Sequence, residues 1–445
     1  MQSHLRINIV MAVLLVEAIA LSFIRKANET PIPQGVILCK AVVVSQPVVK
    51  GRVLRMDLLA DDGRGSTQQV QASLLRDTIS NRWKSLRLGS VIKIASEWKK
   101  TAKGKYPTTF IYYKNWQLEP VDYSFLPFIQ KLHFAFLVVR HRLILRLQDS
   151  GLSNRAFAVV AAMTLGDRSA LKSDIRNVYN ATGTAHVLAL SGLHLSIIFA
   201  LLMFFFDSLR CRIIGLHLVV PVVWTYVMLV GLPPSLVRAA VMLSLYAICT
   251  LLRRKAFSLN SLAFAAFVIL LFNPSALSDV GFQLSFTSVL GILIFYRPFS
   301  TMLCVKKLSW LKWITDMLAV SLAAQVATLP LILYYFGYFS SYFLLANLII
   351  VPVASVIVSL SMLFYVTSFF GSLCAVNGLV VIILNQLIDI QYNMMLNISS
   401  WPYATIELHI PGFLVYILYF MMALAYQTGV VILRIYHRSE ILRYR

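Results

Sequence analysis

The side chains able to do chemistry are concentrated in one short stretch, Thr182–Ser196, which reads TGTAHVLALSGLHLS. It places His186, Ser191 and His194 at the start of a run that continues as IIFALLMFFF and is apolar enough to enter a bilayer. An ionisable group loses water in a membrane segment at a cost of roughly 2.5 kcal/mol or more, so it usually faces a cavity or a partner. The stretch therefore predicts a polar path or a paired site inside the membrane.

The two histidines leave several chemistries open. They stand eight residues apart in the sequence, about two helical turns, and share a face if the segment is one helix, whereas Ser191-Gly192 could instead break it. No third His, Asp or Glu follows at short spacing, so no metal or cofactor is predicted. A Ser191/histidine dyad would suit an intramembrane hydrolase. However, LALSGLH is not the G-x-S-x-G elbow and no orienting acid is evident, so no catalytic residue is assigned and this activity stays an alternative.

Other apolar segments are interrupted by polar residues. Arg238 stands a turn into an apolar helix, where it is either a snorkelling interface residue or the lining of an aqueous path for an anion. Irregular backbone at membrane depth needs protein or a water-filled cavity around it. The alternative role for single Ser, Gln or Asn side chains is helix-to-helix adhesion, at about 0.6 kcal/mol each. The predicted channel-lining or gating residues are Asp167, Arg168, His186, Ser191, Gly192, His194, Arg238, Gln283, Ser285, Gln325 and Asn347.

The composition excludes a soluble globule. Of 445 residues, 59% are hydrophobic and only 13% are charged, which is typical of an integral membrane protein. Lys and Arg number 40 against 18 Asp and Glu, so the remaining charge is one-sided. That bias fits both membrane topology and a surface for a polyanion.

Hydropathy predicts ten membrane helices. The first covers 7–24 and is interpreted as a retained helix, because Glu17 interrupts it, with a cleavable signal as the alternative. The nine others are predicted near 184–206, 213–231, 234–252, 258–273, 279–297, 313–336, 341–368, 376–398 and 411–434. The resulting domains are 1–24 (first helix), 25–120 (soluble domain), 121–182 (amphipathic interfacial helices), 183–434 (membrane domain) and 435–445 (basic tail).

Short loops of this ten-helix path differ in charge. The loops with Arg210, Arg253, Lys306 and the C-terminal arginines fall on one side of the membrane. The opposite loops hold essentially no Lys or Arg, and they lie near Pro233, Pro274, Gly337 and Pro402. The positive-inside rule then predicts cytoplasmic termini, with residues 25–120 outside the cytoplasm.

Residues 25–120 read as a small β domain. Five alternating runs, at 35–45, 51–59, 68–75, 90–96 and 108–118, are separated by turn-rich pieces, with one short helix near 77–84. They favour a closed barrel of the oligonucleotide/oligosaccharide-binding (OB) type, although other small barrels also have five strands. Cys39 is the domain's lone cysteine, so no internal disulfide is predicted. Basic and aromatic residues together suit a single-stranded polyanion, with a solvated loop as the alternative. The candidate DNA-binding residues are Trp98, Lys99, Lys100, Lys103, Lys105 and Tyr106.

Residues 121–182 have an amphipathic pattern. Lys131, Arg140, Arg142 and Arg146 lie among leucines, valines and phenylalanines, in a segment too charged to span a membrane and too apolar to dissolve. It is typical of a helix at the membrane interface, with its cations toward headgroups or water.

Several motifs resemble the ComEC-type competence proteins, the inner-membrane DNA channels of natural transformation. They are LGDRSAL (165–171), GTAHVLALSGLHLS (183–196), R-x-x-x-M (238–242), NPSALSDVGFQLSF (273–286), QVATLPLILYYFG (325–337) and LLANLIIVP (344–352). Their order and spacing match over about 150–370.

The resemblance implies a multi-pass protein of the bacterial inner membrane that carries one DNA strand into the cytoplasm, with an OB domain outside. A secondary transporter of another solute or polysaccharide is the alternative. Many members continue into a metallo-β-lactamase-like domain, but no HxHxDH-like cluster occurs up to Arg445, so we expect a form without nuclease activity. No P-loop occurs either. The expected partners are single-stranded DNA, membrane lipid, a separate nuclease, a DNA-receptor protein, and a cytoplasmic motor or strand-binding proteins.

Overall fold

The computed structural model describes residues 35–61, 67–77, 81–99, 107–253, 259–303, 309–369 and 374–443. It has an N-terminal β-barrel followed by a long series of helices, which confirms the predicted fold class. The predicted first helix, 7–24, lies outside the described residues.

Seven strands form the N-terminal sheet: β1 Val36–Val43, β2 Val48–Lys50, β3 Val53–Asp61, β4 Thr67–Leu75, β5 Val91–Lys99, β6 Thr108–Ile111 and β7 Trp116–Glu119. The order β1-β3-β4-β6-β5 closes on itself because β5 also pairs with β1. The β4–β6 pair is parallel, and the other pairs of this ring are antiparallel. Five strands therefore make a closed barrel, as the alternating sequence runs predicted.

Strand alternation explains the barrel core. Ile92, Ile94 and Trp98 point inward from β5 and pack with Cys39 and Ala41 of β1, all of them buried. The predicted fifth strand, 108–118, is two strands, because a turn at Tyr112–Asn115 separates β6 from β7. The predicted short helix is a single 3₁₀ turn at Arg82–Ser85.

Helix α1, Phe128–Gln148, packs against one end of the barrel. Phe134 and Leu137 share a buried cluster with Val42, Leu59 and Val91, and burying such side chains contributes about 1.5–3 kcal/mol each. Among the described residues, those within 35–146, together with 225–232, form one compact unit, and the others form a second. This unit extends past the expected boundary at residue 120, because one face of α1 packs on a second buried cluster that is separate from the barrel core.

The remaining helices are α2 Asn154–Val160, α3 Ser173–Ala181, α4 Ala185–Leu188, α5 Gly192–Ser208, α6 Arg212–Leu229, α7 Pro234–Leu251, α8 Leu259–Phe272, α9 Val280–Leu303, α10 Ser309–Tyr335, α11 Phe343–Thr367, α12 Cys374–Ser399 and α13 Gly412–Arg443. A π-helical turn, Ala161–Leu165, extends α2. A short hairpin pairs β8 Tyr338–Ser340 with β9 Thr405–Glu407.

Six helices among the described residues are long and apolar enough to span a membrane. They are Arg212–Leu229, Pro234–Leu251, Val280–Leu303, Lys312–Tyr335, Phe343–Thr367 and Ala375–Ser399. Three further predicted spans correspond to shorter apolar helices, Gly192–Ser208, Leu259–Phe272 and Gly412–Thr428. The predicted span 184–206 is therefore not one helix, because the chain is extended between α4 and α5.

The spans α9 and α10 pack closely. A Cβ atom on Gly291 would lie 2.6 Å from the carbonyl oxygen of Ala323, so only glycine permits this approach. Further along, Tyr296 and Ser300 donate hydrogen bonds of 3.1 Å and 3.0 Å to the carboxylate of Asp316. Small residues and a satisfied carboxylate therefore fix these two helices together.

Candidate functional site

The chain breaks its helix where the histidine motif begins. Ser191 is the N-cap of α5, with extended backbone at φ −122° and ψ 166°. Nδ1 of His194 accepts a hydrogen bond from the Ser191 backbone N–H at 3.1 Å and lies 2.9 Å from the Ser191 hydroxyl. Because Nδ1 acts as an acceptor, the ring proton belongs on Nε2. Serine and histidine therefore form a reciprocal cap, with histidine in the place that Glu or Gln usually takes.

The two histidines have different surroundings. His194 is fully buried, and its Nε2 has no hydrogen-bond partner among the described residues. His186 is exposed at the other side of the break, and its ring hydrogen-bonds the backbone of Gly183. Because α4 ends at Leu188, His186 and His194 do not share the face of one continuous helix. The alternative prediction, a break in the helix before His194, is the correct one.

Helices α5 and α7 meet at their first turns. A Cβ on Gly192 would lie 3.3 Å from the Cβ of Ala239, and the Ser235 hydroxyl donates to the Leu190 carbonyl at 2.7 Å. Residues two apart on a helix differ by about 200°, so His194 lies on the side of α5 away from Ala239. The motif thus docks on α7 through its glycine.

Arg238 of α7 is buried, with 5% of its side chain exposed. Its Nη1 lies 3.4 Å from Oδ2 of Asp279, while Nε has no partner among the described residues. The same Asp279 oxygen caps α9 by accepting the Phe282 N–H at 3.0 Å. Nη2 lies against Gly281, where a Cβ would come within 3.3 Å. Within the part of the chain that the structure describes, Arg238 therefore has one long ion pair and an unpartnered Nε donor.

The partner of Arg238, Asp279, is not apparent from the sequence alone. The two residues are 41 positions apart, and their contact depends on how α7 packs beside α9. The available signal was the position of Asp279 just after the Asn273-Pro274 interruption, where a helix restarts and an N-cap acceptor is expected.

Gln283 has an adhesive role. Its amide donates to the Leu277 carbonyl at 3.0 Å and accepts from the Tyr335 hydroxyl at 2.8 Å, which ties α9 to α10. Ser285 and Gln325 are half-buried on the same two helices. Asn347 of α11 has a buried Oδ1 without a partner among the described residues.

Asp167 and Arg168 form the turn after the π-helical segment. The Asp167 carboxylate accepts the Ser169 N–H at 3.0 Å, and the Arg168 carbonyl accepts from Arg176 at 3.0 Å. The Arg168 side chain is exposed and that of Asp167 is half-exposed. Their observed role is to fix the turn.

The barrel surface differs from the predicted one. Trp98 is 4% exposed and belongs to the barrel core, so the prediction that it stacks on DNA bases is wrong. Lys99 is exposed, 3.6 Å from Glu97, whereas Lys100, Lys103, Lys105 and Tyr106 lie outside the described residues.

Three aromatic rings that the sequence analysis overlooked are exposed on the barrel: Phe110, Tyr112 and Tyr113. Phe110 and Tyr112 stack edge to face at 5.2 Å, and the Lys114 ammonium lies 5.6 Å from the Tyr113 ring. Rings beside cations form the kind of surface on which single-stranded nucleic acid binds. The sequence signal for the exposure of Phe110 was strand alternation, because Phe110 lies between Thr109 and Ile111, which face inward.

Within the described residues, no group of three or more His, Cys, Asp or Glu side chains could hold a metal ion.

Comparison with known proteins gives one family. The model of the family described as "Competence protein" matches residues 163–430. ComE operon protein 3 of Bacillus subtilis is 34% identical over 214 residues, covering 47% of this chain and 26% of that protein. An uncharacterized protein of Aquifex aeolicus is 33% identical over 162 residues, covering 36% of each chain.

A third relative, the uncharacterized protein YcaI of Escherichia coli, is 27% identical over 150 residues, covering 32% of this chain and 20% of that protein. The alignments thus span about a third or less of the length of these curated relatives. No solved structure matches the chain.

Proposed function

This chain belongs to the competence protein family, and from that premise we propose that it is a channel for single-stranded DNA in the bacterial inner membrane during natural transformation. In this role it would serve DNA uptake without being an enzyme. Both termini would lie in the cytoplasm and the barrel outside it, as the charge bias of the short loops indicates.

The observation that carries the proposal is Arg238. A buried arginine on a membrane helix is costly unless it serves a charged partner. Its ion pair at 3.4 Å leaves Nε without a partner among the described residues. Guanidinium groups present up to five donors in a geometry that matches phosphate. A strand passing the outer ends of α7 and α9 would offer phosphates to those donors.

Polar groups without partners support a wet path. His194 Nε2 and Asn347 Oδ1 are buried and unpaired among the described residues. Such groups usually form a hydrogen bond with water or a ligand, because a buried polar group without one costs about 1–3 kcal/mol. A polyanion crossing hydrocarbon needs such a hydrogen-bonding lining.

The barrel supports the capture step. Its closed five-stranded order suits the OB class, whose members often bind single strands. Exposed Phe110, Tyr112 and Tyr113 beside Lys99 and Lys114 would stack bases and pair phosphates. A DNA-receptor protein would deliver the strand, a separate nuclease would remove its complement, and a cytoplasmic motor or strand-binding protein would draw it inward.

A hydrolase is the second candidate, since 2.9 Å between Ser191 Oγ and His194 Nδ1 is a dyad distance. However, the Ser191 N–H already donates to Nδ1, and Nε2 has no carboxylate partner among the described residues. A working dyad needs its histidine oriented by a third group. The geometry therefore favours helix capping over nucleophile activation.

The test is uptake of labelled DNA by a transformable host whose own channel gene is replaced by this one. We expect Arg238→Gln to lower entry into the cytoplasm at least about tenfold, because a single charge-assisted hydrogen bond is worth that much, while DNA still accumulates outside. Arg238→Lys should retain part of the function. The matched control is Arg212→Gln, which removes an exposed arginine whose ion pair to Asp207 is 3.9 Å long.

Normal entry with Arg238→Gln would refute the assigned lining. A secondary transporter would instead bind a small solute and leave the barrel without DNA affinity. If the protein showed hydrolytic activity that Ser191→Ala abolished, the hydrolase hypothesis would replace the channel hypothesis.

A further inference from the structure

A polar cleft of about 720 Å³ lies in the helical unit between the starts of α2 and α3 and the middle of α12. Its lining includes Arg155, Lys172, Asp174, Asp389 and Tyr392. None of these residues belongs to the proposed DNA path. The volume is in the range of sites that hold a small molecule or a lipid headgroup.

One wall of the cleft is rigid. Nη1 of Arg155 lies 2.7 Å from Oδ1 of Asp389, and the guanidinium carbon is 4.1 Å from the centre of the Tyr392 ring. One turn earlier on α12, the Asn385 amide oxygen accepts the Ser153 N–H at 3.0 Å. These contacts hold α2 on α12 and neutralise one pair of opposite charges.

A second pair of opposite charges remains open. No salt bridge joins Lys172 or Asp174 to another described residue, and both side chains are exposed. Among the described residues, the Asp174 carboxylate accepts a hydrogen bond only from the adjacent Ser173 hydroxyl, at 3.3 Å. The cleft therefore presents one ammonium group and one carboxylate to a ligand.

A buried hydroxyl lies behind this lining. Tyr179 is fully buried, and its hydroxyl has no hydrogen-bond partner among the described residues. It lies one helical turn after Ile175, which lines the cleft, and within electrostatic range of Arg155 and Tyr392. Tyr179 is not part of the cleft lining itself, and a buried hydroxyl of this kind is usually satisfied by an ordered water.

The charge balance identifies the ligand class. Two cations and two carboxylates line the cleft, so a polyanion would meet as much repulsion as attraction, whereas a ligand with both signs would satisfy Lys172 and Asp174 together. We propose that the cleft binds a zwitterionic phosphate ester, with its phosphate on Lys172 and its ammonium on Asp174. Phosphatidylethanolamine headgroups and free phosphoethanolamine share this chemistry.

The experiment measures binding to the delipidated full chain in detergent, by native mass spectrometry and by the shift in unfolding temperature. The probes are phosphatidylethanolamine, phosphatidylglycerol and soluble phosphoethanolamine. We expect phosphatidylethanolamine to bind best, and Lys172→Gln and Asp174→Asn each to weaken it about tenfold, the value of one charge-assisted hydrogen bond. Binding of phosphoethanolamine would identify a free ligand, and binding of the lipid alone would identify a headgroup site.

The controls separate a site from general lipid affinity. Arg212→Gln should bind like the wild type, and Lys172→Arg, which keeps the charge, should retain most of the affinity even if Lys172→Gln fails to fold. Equal binding of phosphatidylglycerol, or unchanged binding in both neutral variants, would overturn the proposal. Binding of a single-stranded oligonucleotide would also overturn the proposal if Lys172→Gln lowered its affinity and Asp174→Asn raised it. The cleft would then be a DNA-binding site. Because the readout is binding, failure here leaves the uptake proposal untouched.

Discussion

His194 accepts a hydrogen bond from the backbone N–H of Ser191, three residues earlier, at 3.1 Å from Nδ1, and the Ser191 hydroxyl lies 2.9 Å from the same nitrogen. The pair begins α5 at the point where the chain leaves the short helix α4. The serine and histidine of the motif therefore explain a helix start, and the glycine between them explains the close approach to Ala239.

Removing this cap should destabilise the protein. We expect His194→Ala to cost about 1 kcal/mol, the usual value of a lost N-cap interaction, because it frees the Ser191 N–H. His194→Gln should restore part of the stability, since glutamine is a common partner at this capping position. Thermal unfolding in detergent measures both, with Ser208→Ala at the exposed end of α5 as control. Equal losses in the Ala and Gln variants would argue against capping.

The Arg238–Asp279 pair predicts an asymmetric effect of removing either charge. Asp279→Asn leaves the guanidinium buried without its counter-ion, so we expect a stability loss of about 1–3 kcal/mol. Arg238→Gln leaves a carboxylate that is 47% exposed and can be hydrated, so its stability loss should be smaller while its uptake defect is larger. Unfolding and uptake assays on both variants, with the double variant to measure coupling, check this. Equal effects of the two variants in both assays would contradict it.

Most of the membrane architecture could be predicted from sequence because hydropathy is a local property. Arg238 was identified from its apolar surroundings alone. Its partner Asp279, and the Arg155–Asp389 pair 234 positions apart, depend on helix packing that no local pattern encodes. Polar contacts between distant segments are therefore the part of the site that sequence reasoning missed.

Gly183 should not tolerate a side chain. Its φ of +72° is in the left-handed region, which costs a non-glycine residue about 1–2 kcal/mol, and a Cβ there would lie 2.9 Å from the Cβ of Ser340. We expect Gly183→Ala to lower the unfolding temperature, and Ser340→Gly to recover only the steric part. Gly378→Ala, in a position with open space, is the matched control. An unaffected Gly183→Ala variant would exclude a constrained turn before the histidine motif.

The barrel predicts which rings touch DNA. Phe110→Ala and Tyr112→Ala should each weaken binding of a labelled single strand by about 1–3 kcal/mol, measured by fluorescence anisotropy with the full chain. Phe413→Ala, which removes an exposed ring from α13, should have no effect. Trp98→Ala should instead unfold the barrel, since emptying a core site of an aromatic ring costs about 3–5 kcal/mol. The assignment would be reversed if Trp98→Ala abolished DNA binding while Phe110→Ala and Tyr112→Ala left it unchanged.

Trp98 shows where a local pattern was available but was not followed far enough. The predicted strand ended at Ser96, yet β5 continues to Lys99, and the inward parity of Ile92 and Ile94 extends to Trp98. Basic neighbours made the ring resemble a stacking surface. Strand periodicity was the stronger signal, because the closed barrel leaves every second residue inside.

Two carboxyl groups of the barrel unit should give opposite pH dependences of stability. Burial raises the pKa of Asp57 above its ordinary value, although a hydrogen bond from Ser45 offsets part of the effect. The folded state then holds the proton more strongly than the unfolded state, so stability is highest below the unfolded pKa and falls as pH rises to the raised folded value. Hydrogen bonds from Ser124 lower the pKa of exposed Asp122, so its contribution is present above the unfolded pKa and is lost as pH falls through the folded one.

Chemical denaturation tests these two carboxyl groups in a fragment covering 27–146, which holds the barrel, most of α1 and the buried cluster that they share. Relative to wild type, Asp57→Asn should gain stability between about pH 3 and about pH 7, because the neutral amide avoids burying a charge as the carboxyl ionises. Asp122→Asn should lose stability over the same interval, since it gives up a carboxylate that two Ser124 hydrogen bonds favour. If the Asp57→Asn difference stayed constant across that range, the Asp57 carboxyl would not be ionising in a buried site, and burial would not be the cause of its raised pKa.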